Sequence, residues 1–235
     1  MATSKLPLLA LAAAGPALGQ IGLEELLVRM AEKDQNRAAM LRGYSSLRRY
    51  SLENKRFHTT AELAVRMTWL HPGEKSFEVL SEKGSGTVRK HVLRRMLDAE
   101  LEAAARETRS DTRINPANYT FTLAGSAVDE KGRSCYMLDM APKTPRRFLI
   151  RGRIWVDAEE FAIVRIEGSP AQSPSFWVRS TTFVHRYERF GDHWLPVSNH
   201  SATEARVFGH TEVTIEYSGY RINQSSAPSN GGATP

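Results

Sequence analysis

The stretch RIWVDAEEFAIVRIEGSP, Arg153 to Pro170, sets two runs rich in Ile, Val, Trp and Phe around an acidic break, Asp157-Ala158-Glu159-Glu160. The break is either a carboxylate cluster for acid–base chemistry or the tip of a hairpin. A loop over Ala158 to Glu160 pairs Asp157 with Phe161 and Trp155 with Ile163. Ile154, Val156, Ala162, Val164 and Ile166 then share one apolar face. Arg153, Trp155, Asp157, Ile163 and Arg165 share the other, where either arginine can stack on Trp155. Charge at the tip of such a hairpin is ordinary turn chemistry. The stretch therefore predicts an antiparallel sheet rather than a catalytic pair.

The same period of two recurs along the chain. It appears at YSSLRRYSLEN, TAELAVRMTWLH, KSFEVLSE, NYTFTLAG, RSCYMLDMA, RFLIRGRIWVD, FAIVRIEG, FWVRSTTFVHRYER, HWLPVSNHSATEARV and HTEVTIEYSGYRI, which makes ten expected strands. Short links at Asp129 to Gly132, Glu159-Glu160, Gly191-Asp192 and Phe208-Gly209 force antiparallel neighbours. Two segments break the pattern. Ile21, Leu23, Leu26, Leu27 and Met30 recur at helical spacing, and Gly43 is expected to end that helix. In KGSGTVRKHVLRRMLDAELEAAARE, Ser85 or Thr87 can cap a helix of about six turns. Val88, Val92 and Met96 form its apolar stripe, with Leu93, Leu97 and Leu101 one face over. The reading is one long antiparallel meander interrupted by a helix. It is a mainly β fold with helices, in which the two amphipathic helices must cover the apolar face of the sheet.

The chain has 235 residues, 41% hydrophobic and 25% charged, which suits one globular domain. Its beginning, MATSKLPLLALAAAGPALGQ, carries one charge, Lys5, then an apolar run and the small residues Ala17-Leu18-Gly19. This order predicts a secretory signal over residues 1–19, cleaved after Gly19, and a periplasmic protein. Cleavage removes only Lys5, so the net charge of +6 becomes +5. No cysteine lies near the cleavage site, so no lipid anchor is expected. A single domain is expected over 20–223, followed by a disordered Ser/Gly/Pro-rich tail over 224–235.

Cys135 is the only cysteine, which excludes an intramolecular disulfide and reads as a small buried residue. The seven histidines form no spaced metal motif, although His185, His193, His200 and His210 fall in the last three strands. No G-x-S-x-G elbow is present, and KGSGTVRK lacks the spacing of a phosphate loop. No metal, cofactor or catalytic residue is expected. Two basic clusters stand out: Arg89, Lys90, Arg94 and Arg95 in the first half of the long helix, against its dipole, and Lys143 to Arg153. Either is solvated surface or a site for an anionic partner. Export leaves acidic lipid head groups or an acidic protein, and no nucleic acid.

The succession of signal, amphipathic helix, strands, the SEKGSGTVRKHVLRRMLDAE helix, NYTFTLAG, CYMLDMAPK, GRIWVD, IVRIEGSP, HWLP and FGHTEVTIEYSGY carries a further signal. It resembles the exported bacterial lipoprotein carriers of the LolA and LolB type and the amino-terminal domain of the sigma-factor regulator RseB, over roughly residues 21–223. The resemblance implies a curved antiparallel half-barrel closed by helices over an apolar cavity that holds acyl chains. On that reading Leu63, Val65, Met67, Trp69, Phe77, Val79, Phe121 and Leu123 wall the cavity. Val92, Leu93 and Met96 face the ligand from the helix, and Arg89, Lys90, Arg94 and Arg95 ring the opening. The expected ligand is a lipid or an acylated lipoprotein, bound by a monomer that acts as carrier or sensor. The alternatives are a protein-interaction module for a partner in the cell envelope and, third, an enzyme. An empty groove beneath the long helix favours the carrier, a filled interface the module, and a polar cleft the enzyme.

Overall fold

The computed structural model describes residues 21–71, 73–107, 112–173, 176, 178–207 and 209–224. The expected signal segment lies outside them. So does the expected tail, except Gln224, which instead ends the last strand.

All ten expected strands form: β1 (Leu41–Asn54), β2 (Thr59–Leu70), β3 (Glu74–Gly84), β4 (Tyr119–Val128), β5 (Ser134–Pro142), β6 (Ile150–Asp157), β7 (Ile163–Pro170), β8 (Val178–Phe190), β9 (His193–Ala205) and β10 (Gly209–Gln224). They make one open, curved, antiparallel half-barrel in the order β3-β2-β1-β10-β9-β8-β7-β6-β5-β4. The single meander was thus an incomplete expectation. Every short link joins neighbours, but β1 also pairs with β10 along most of its length. The free edges are β3 and β4, the two strands separated by the long helix.

One cross-strand row shows how the faces are organised. Glu82, Leu63, Tyr50, Ile215, Asn199, His185, Ile166, Ile154, Leu138 and Leu123 stand opposite one another in turn. Directly opposed residues share a face, so this row crosses the whole covered side. Beyond the charged Glu82 at the β3 edge it is apolar on both sides and polar in the middle, at Asn199 and His185.

Each apolar part is covered by a helix. α1 (Leu23–Met40) has Glu24 and Glu25 in its first turn and Arg37 in its last, which complements the helix dipole. It buries Leu26 and Met30 against Phe121, Leu138, Ile154, Val156 and Ile166. Gly43 does not end it, for the chain passes into β1 at Leu41. Gly43 lies within the strand, where a Cβ would meet the Trp69 carbonyl oxygen at 2.8 Å.

The long helix is continuous through α2 (Gly86–Val88), a π-helical turn (Arg89–Leu93) and α3 (Arg94–Glu107). Ser85 caps it, its hydroxyl accepting from the Val88 N–H at 3.4 Å. The Arg94 N–H donates to the Arg89 carbonyl, an i to i+5 bond that inserts one residue into the turn. The insertion shifts the apolar phase. Val88 and Leu93, five apart, both face the sheet with Leu97, whereas Val92 is turned outward and is 37% exposed. Leu93 and Leu97 bury against Tyr50, Leu63, Val65 and Ile215.

The acidic break of the opening stretch is a turn. Asp157 is buried, and its Oδ1 accepts from the N–H groups of Glu159 and Glu160 at 3.0 and 2.8 Å. The apolar face is as expected, with Ile154, Val156, Ala162, Val164 and Ile166 all buried. The register is not. Trp155 pairs with Arg165 rather than Ile163, because Phe161 turns left-handed (φ 52°) and the register shifts again at Val164, between the pairs Val156–Ile163 and Trp155–Arg165. Arg37 of α1 donates to the Glu160 carbonyl at 3.0 Å, so the turn anchors the helix. Arg165 lies over Trp155 at 4.8 Å, as the hairpin allowed.

Candidate functional site

Between the two apolar clusters, the covered face carries charge and aromatic rings. On β1 the inward positions run Ser46, Arg48, Tyr50, Leu52. Arg48 is 4% exposed. Its Nη1 donates to both carboxylate oxygens of Glu100 on α3, at 2.7 and 2.8 Å. Lys75 Nζ on β3 reaches the same carboxylate at 3.1 Å. The Arg48 guanidinium lies over the rings of Tyr217 and Phe77, at 5.0 and 5.4 Å. Burial pushes the Glu100 carboxyl up, but the two cations outweigh it and hold it below the usual range. Burial likewise lowers Arg48, and Glu100 more than reverses it.

Around this centre runs a strip of rings from β2 to β8. Trp69 meets Tyr44 at 5.8 Å, Tyr44 meets Tyr220 at 5.9 Å, and Tyr220 meets Phe190 at 4.7 Å. Beside them Tyr217 stacks on His185 at 5.9 Å, and His185 lies 4.5 Å from Tyr187. All seven are half-buried, neither packed away nor free in solvent. The polar atoms of His185, Tyr217 and Tyr220 are nevertheless enclosed, as is the hydroxyl of the buried Tyr50. Burial lowers His185 to about 4, raises Tyr50 to about 12 and raises Tyr217 well above its ordinary value. His185 is thus a neutral imidazole near neutral pH, with Nδ1 3.1 Å from the Tyr187 hydroxyl. The Tyr50 hydroxyl stands near Arg48 but makes no hydrogen bond of normal geometry.

The residues expected to wall a cavity are only partly brought together. Leu63, Val65, Phe77, Leu93 and Met96 meet in the cluster under the long helix, where Leu63, Val65 and Leu93 are completely buried. That interface is filled by the protein itself. Met67 is buried, and Trp69 joins the aromatic strip. Phe121 belongs to the other cluster, under α1. Val79 and Leu123 do not wall an enclosed space: they stand on the edge strands β3 and β4, opposite Val65 and Leu138, and are 42% and 37% exposed. Val92 faces away from the sheet for the reason given by the π-helical turn.

The expected basic ring is also divided. Arg89 and Arg94 converge on Glu82 of β3, at 3.3 and 2.6 Å, and so pin the helix to the sheet. Lys90 and Arg95 are exposed. Arg48, Lys75, Glu100, His185 and the tyrosines were missed. Two of them had a legible signal: Arg48 occupies an inward strand position, and Glu100 continues the buried stripe Leu93, Leu97, Ala104.

On the opposite face a cleft of about 800 Å³ opens over β5 to β9, lined among others by Asp139, Arg153, Trp155, Glu167, Val184 and His200. There Arg153 makes two bonds to Asp139 at 2.7 and 3.0 Å, and Arg151 donates to the Ala171 carbonyl at 2.7 Å. Cys135 is buried, and burial raises its thiol to about 12. Among the described residues no group of three or more His, Cys, Asp or Glu is placed to hold a metal. No helix among them is long and apolar enough to cross a membrane.

No family model and no curated protein matches the chain. Solved structures similar to it include a DUF1329 family protein from Desulfovibrio piger, 13% identical, covering 86% of this chain and 93% of that one with a TM-score of 0.44. A domain assigned to outer membrane lipoprotein sorting, from Vibrio parahaemolyticus, is 10% identical over 86% of this chain and 94% of that one, with a TM-score of 0.43. A LolA superfamily protein from Nitrosomonas europaea is 11% identical over 88% and 96%, with a TM-score of 0.37.

Proposed function

We propose that this protein binds the apolar chain of a lipid or of an acylated protein on the helix-covered face of its sheet, as a carrier or sensor in the cell envelope. One observation carries the reading: the half-buried aromatic strip between the two helices. Burying such rings in a monomer's core would complete the fold, and leaving them in water costs roughly 25 cal/mol for each Å² of apolar surface. A strip held at half burial on a covered face suits an apolar guest.

The long helix is then the movable cover. Ion pairs to Arg48, Lys75, Glu82 and Arg147 hold it together with the packed side chains of Leu93 and Leu97, and opening would have to part both. The expected export signal supports a periplasmic setting. The filled interface at Leu63, Val65, Leu93 and Leu97 favours the second reading, a module that recognises a partner protein.

One titration decides between them. A fluorescent long-chain acyl probe is expected to bind saturably and to be released by unlabelled acylated peptide. No binding to protein folded by circular dichroism would leave the module.

A further inference from the structure

We propose that the centre of the covered face is a carboxylate site for an amphiphile with an apolar chain, and that Glu100 fills the site from within when the long helix is down. The inference rests on the reading above and names the ligand's polar end.

The first support is charge. Arg48 and Lys75 both contact the Glu100 carboxylate, so two cations share one anion in an enclosed place. His185 beside them does not supply a charge, nor do the tyrosines, since burial keeps each neutral. The nearby carboxylate of Glu82 is committed to Arg89 and Arg94.

The second support is unfulfilled hydrogen bonding. Arg48 Nε, Ser46 Oγ, Tyr50 Oη and His185 Nε2 are buried with no partner among the described residues. All four can donate. Arg48 has only donors, the hydroxyls carry a proton each, and Nε2 holds the imidazole proton when Nδ1 accepts from Tyr187. Buried polar groups are almost always paired, so donors gathered around an excess cation point to an acceptor-only guest. A carboxylate is the guest whose fit the protein displays, because Glu100 already sits on Arg48 through both oxygens. The aromatic strip continues from Tyr217 and His185, which gives the chain of the amphiphile a floor. In the opposite cleft the lining arginines, Arg151 and Arg153, are equalled in number by the lining carboxylates, Asp139 and Glu167.

The test uses the full chain and measures binding of laurate, lauryl alcohol and lauryl phosphate below their micelle concentrations. Laurate is expected to bind about tenfold more tightly than the alcohol, a difference of about 1.4 kcal/mol. Arg48→Met or Lys75→Met should erase the difference. Glu100→Gln, which removes the internal competitor, should widen it, and laurate should raise the Tm of that variant more than that of the wild type. Lys75 makes a single contact with Glu100, at 3.1 Å, so its variant serves if Arg48→Met does not fold. Equal binding of laurate and alcohol overturns this inference and leaves the acyl-binding reading standing. Tighter binding of the phosphate overturns the carboxylate assignment. If none of the three binds, the reading itself falls and this inference with it.

Discussion

Exchange of Glu100 for Gln should destabilise the protein more than exchange of Arg48 for Met, although the two residues form one ion pair. The asymmetry comes from exposure. The Arg48 side chain is 3% exposed and that of Glu100 is 30% exposed. Without the carboxylate, Arg48 keeps its full charge in an enclosed place beside a second cation, Lys75. Removing one partner of a buried pair costs about 3–5 kcal/mol, and the bond that Gln can still accept brings the expected loss to about 3 kcal/mol. In Arg48→Met the orphan is Glu100, which retains Lys75 at 3.1 Å and reaches water. Its loss should be about 1–2 kcal/mol, nearer the range of an exposed pair. Combining Glu100→Gln with Arg48→Met removes both charges, so its cost should fall below the sum of the single changes by about 1 kcal/mol or more. Urea unfolding measures all three, with the slope m as a check that the unfolded state is unaltered. A cost for Arg48→Met equal to or above that for Glu100→Gln, or a strictly additive double variant, would refute this account of the centre.

Three further outcomes follow from the geometry. His185 is held near 4, so below about pH 6.5 the unfolded chain takes up a proton that the folded chain refuses. Stability should therefore fall by about 2–3 kcal/mol between pH 6.5 and pH 4, at about 1.4 kcal/mol per pKa unit, and His185→Phe should flatten that slope in thermal melts. Val65→Asp should unfold the protein by burying an unpaired carboxylate, whereas Arg66→Asp, on the exposed side of β2, should lose less than about 1 kcal/mol; similar Tm values for both would contradict the phase of the strand. Leu93→Asp should be as damaging as Val65→Asp while Val92→Asp is near neutral, and the reverse order would show that the π-helical turn is absent.

Much of the fold was legible because antiparallel strands with one covered face write a period of two into the sequence. The ten strands, the apolar face of the Arg153–Pro170 hairpin and the burial of Cys135 all came from that rule. What the rule cannot see is a residue that leaves the regular backbone. Left-handed Phe161 and the extra residue at Val164 shifted the hairpin register, and one inserted residue in the π-helical turn moved Val92 from the sheet to solvent. The candidate site was hidden for another reason. Arg48, Tyr217 and His185 lie on three strands, and only the pairing of β1 with β10 brings them together. Nothing in the local pattern of either strand specifies that pairing. Arg48 and Glu100 did leave a trace, each being a charge in phase with apolar neighbours, and such misfits mark an internal partner or a site.

The adjacency of β1 and β10 bears on how the chain acquires its shape. Leu52 faces Val213, so the strand made early has to wait for the strand made last. Until then β1 holds only the hairpin side of its hydrogen bonds, and the pieces β1–β3 and β4–β9 are separate sheets with exposed seams. Contacts so far apart in sequence slow folding, and the interval is one in which the seams can be captured by other chains. Truncation has the same logic. In many sheets the loss of the final strand trims an edge; here the loss of the sixteen residues of β10 splits the sheet down its middle.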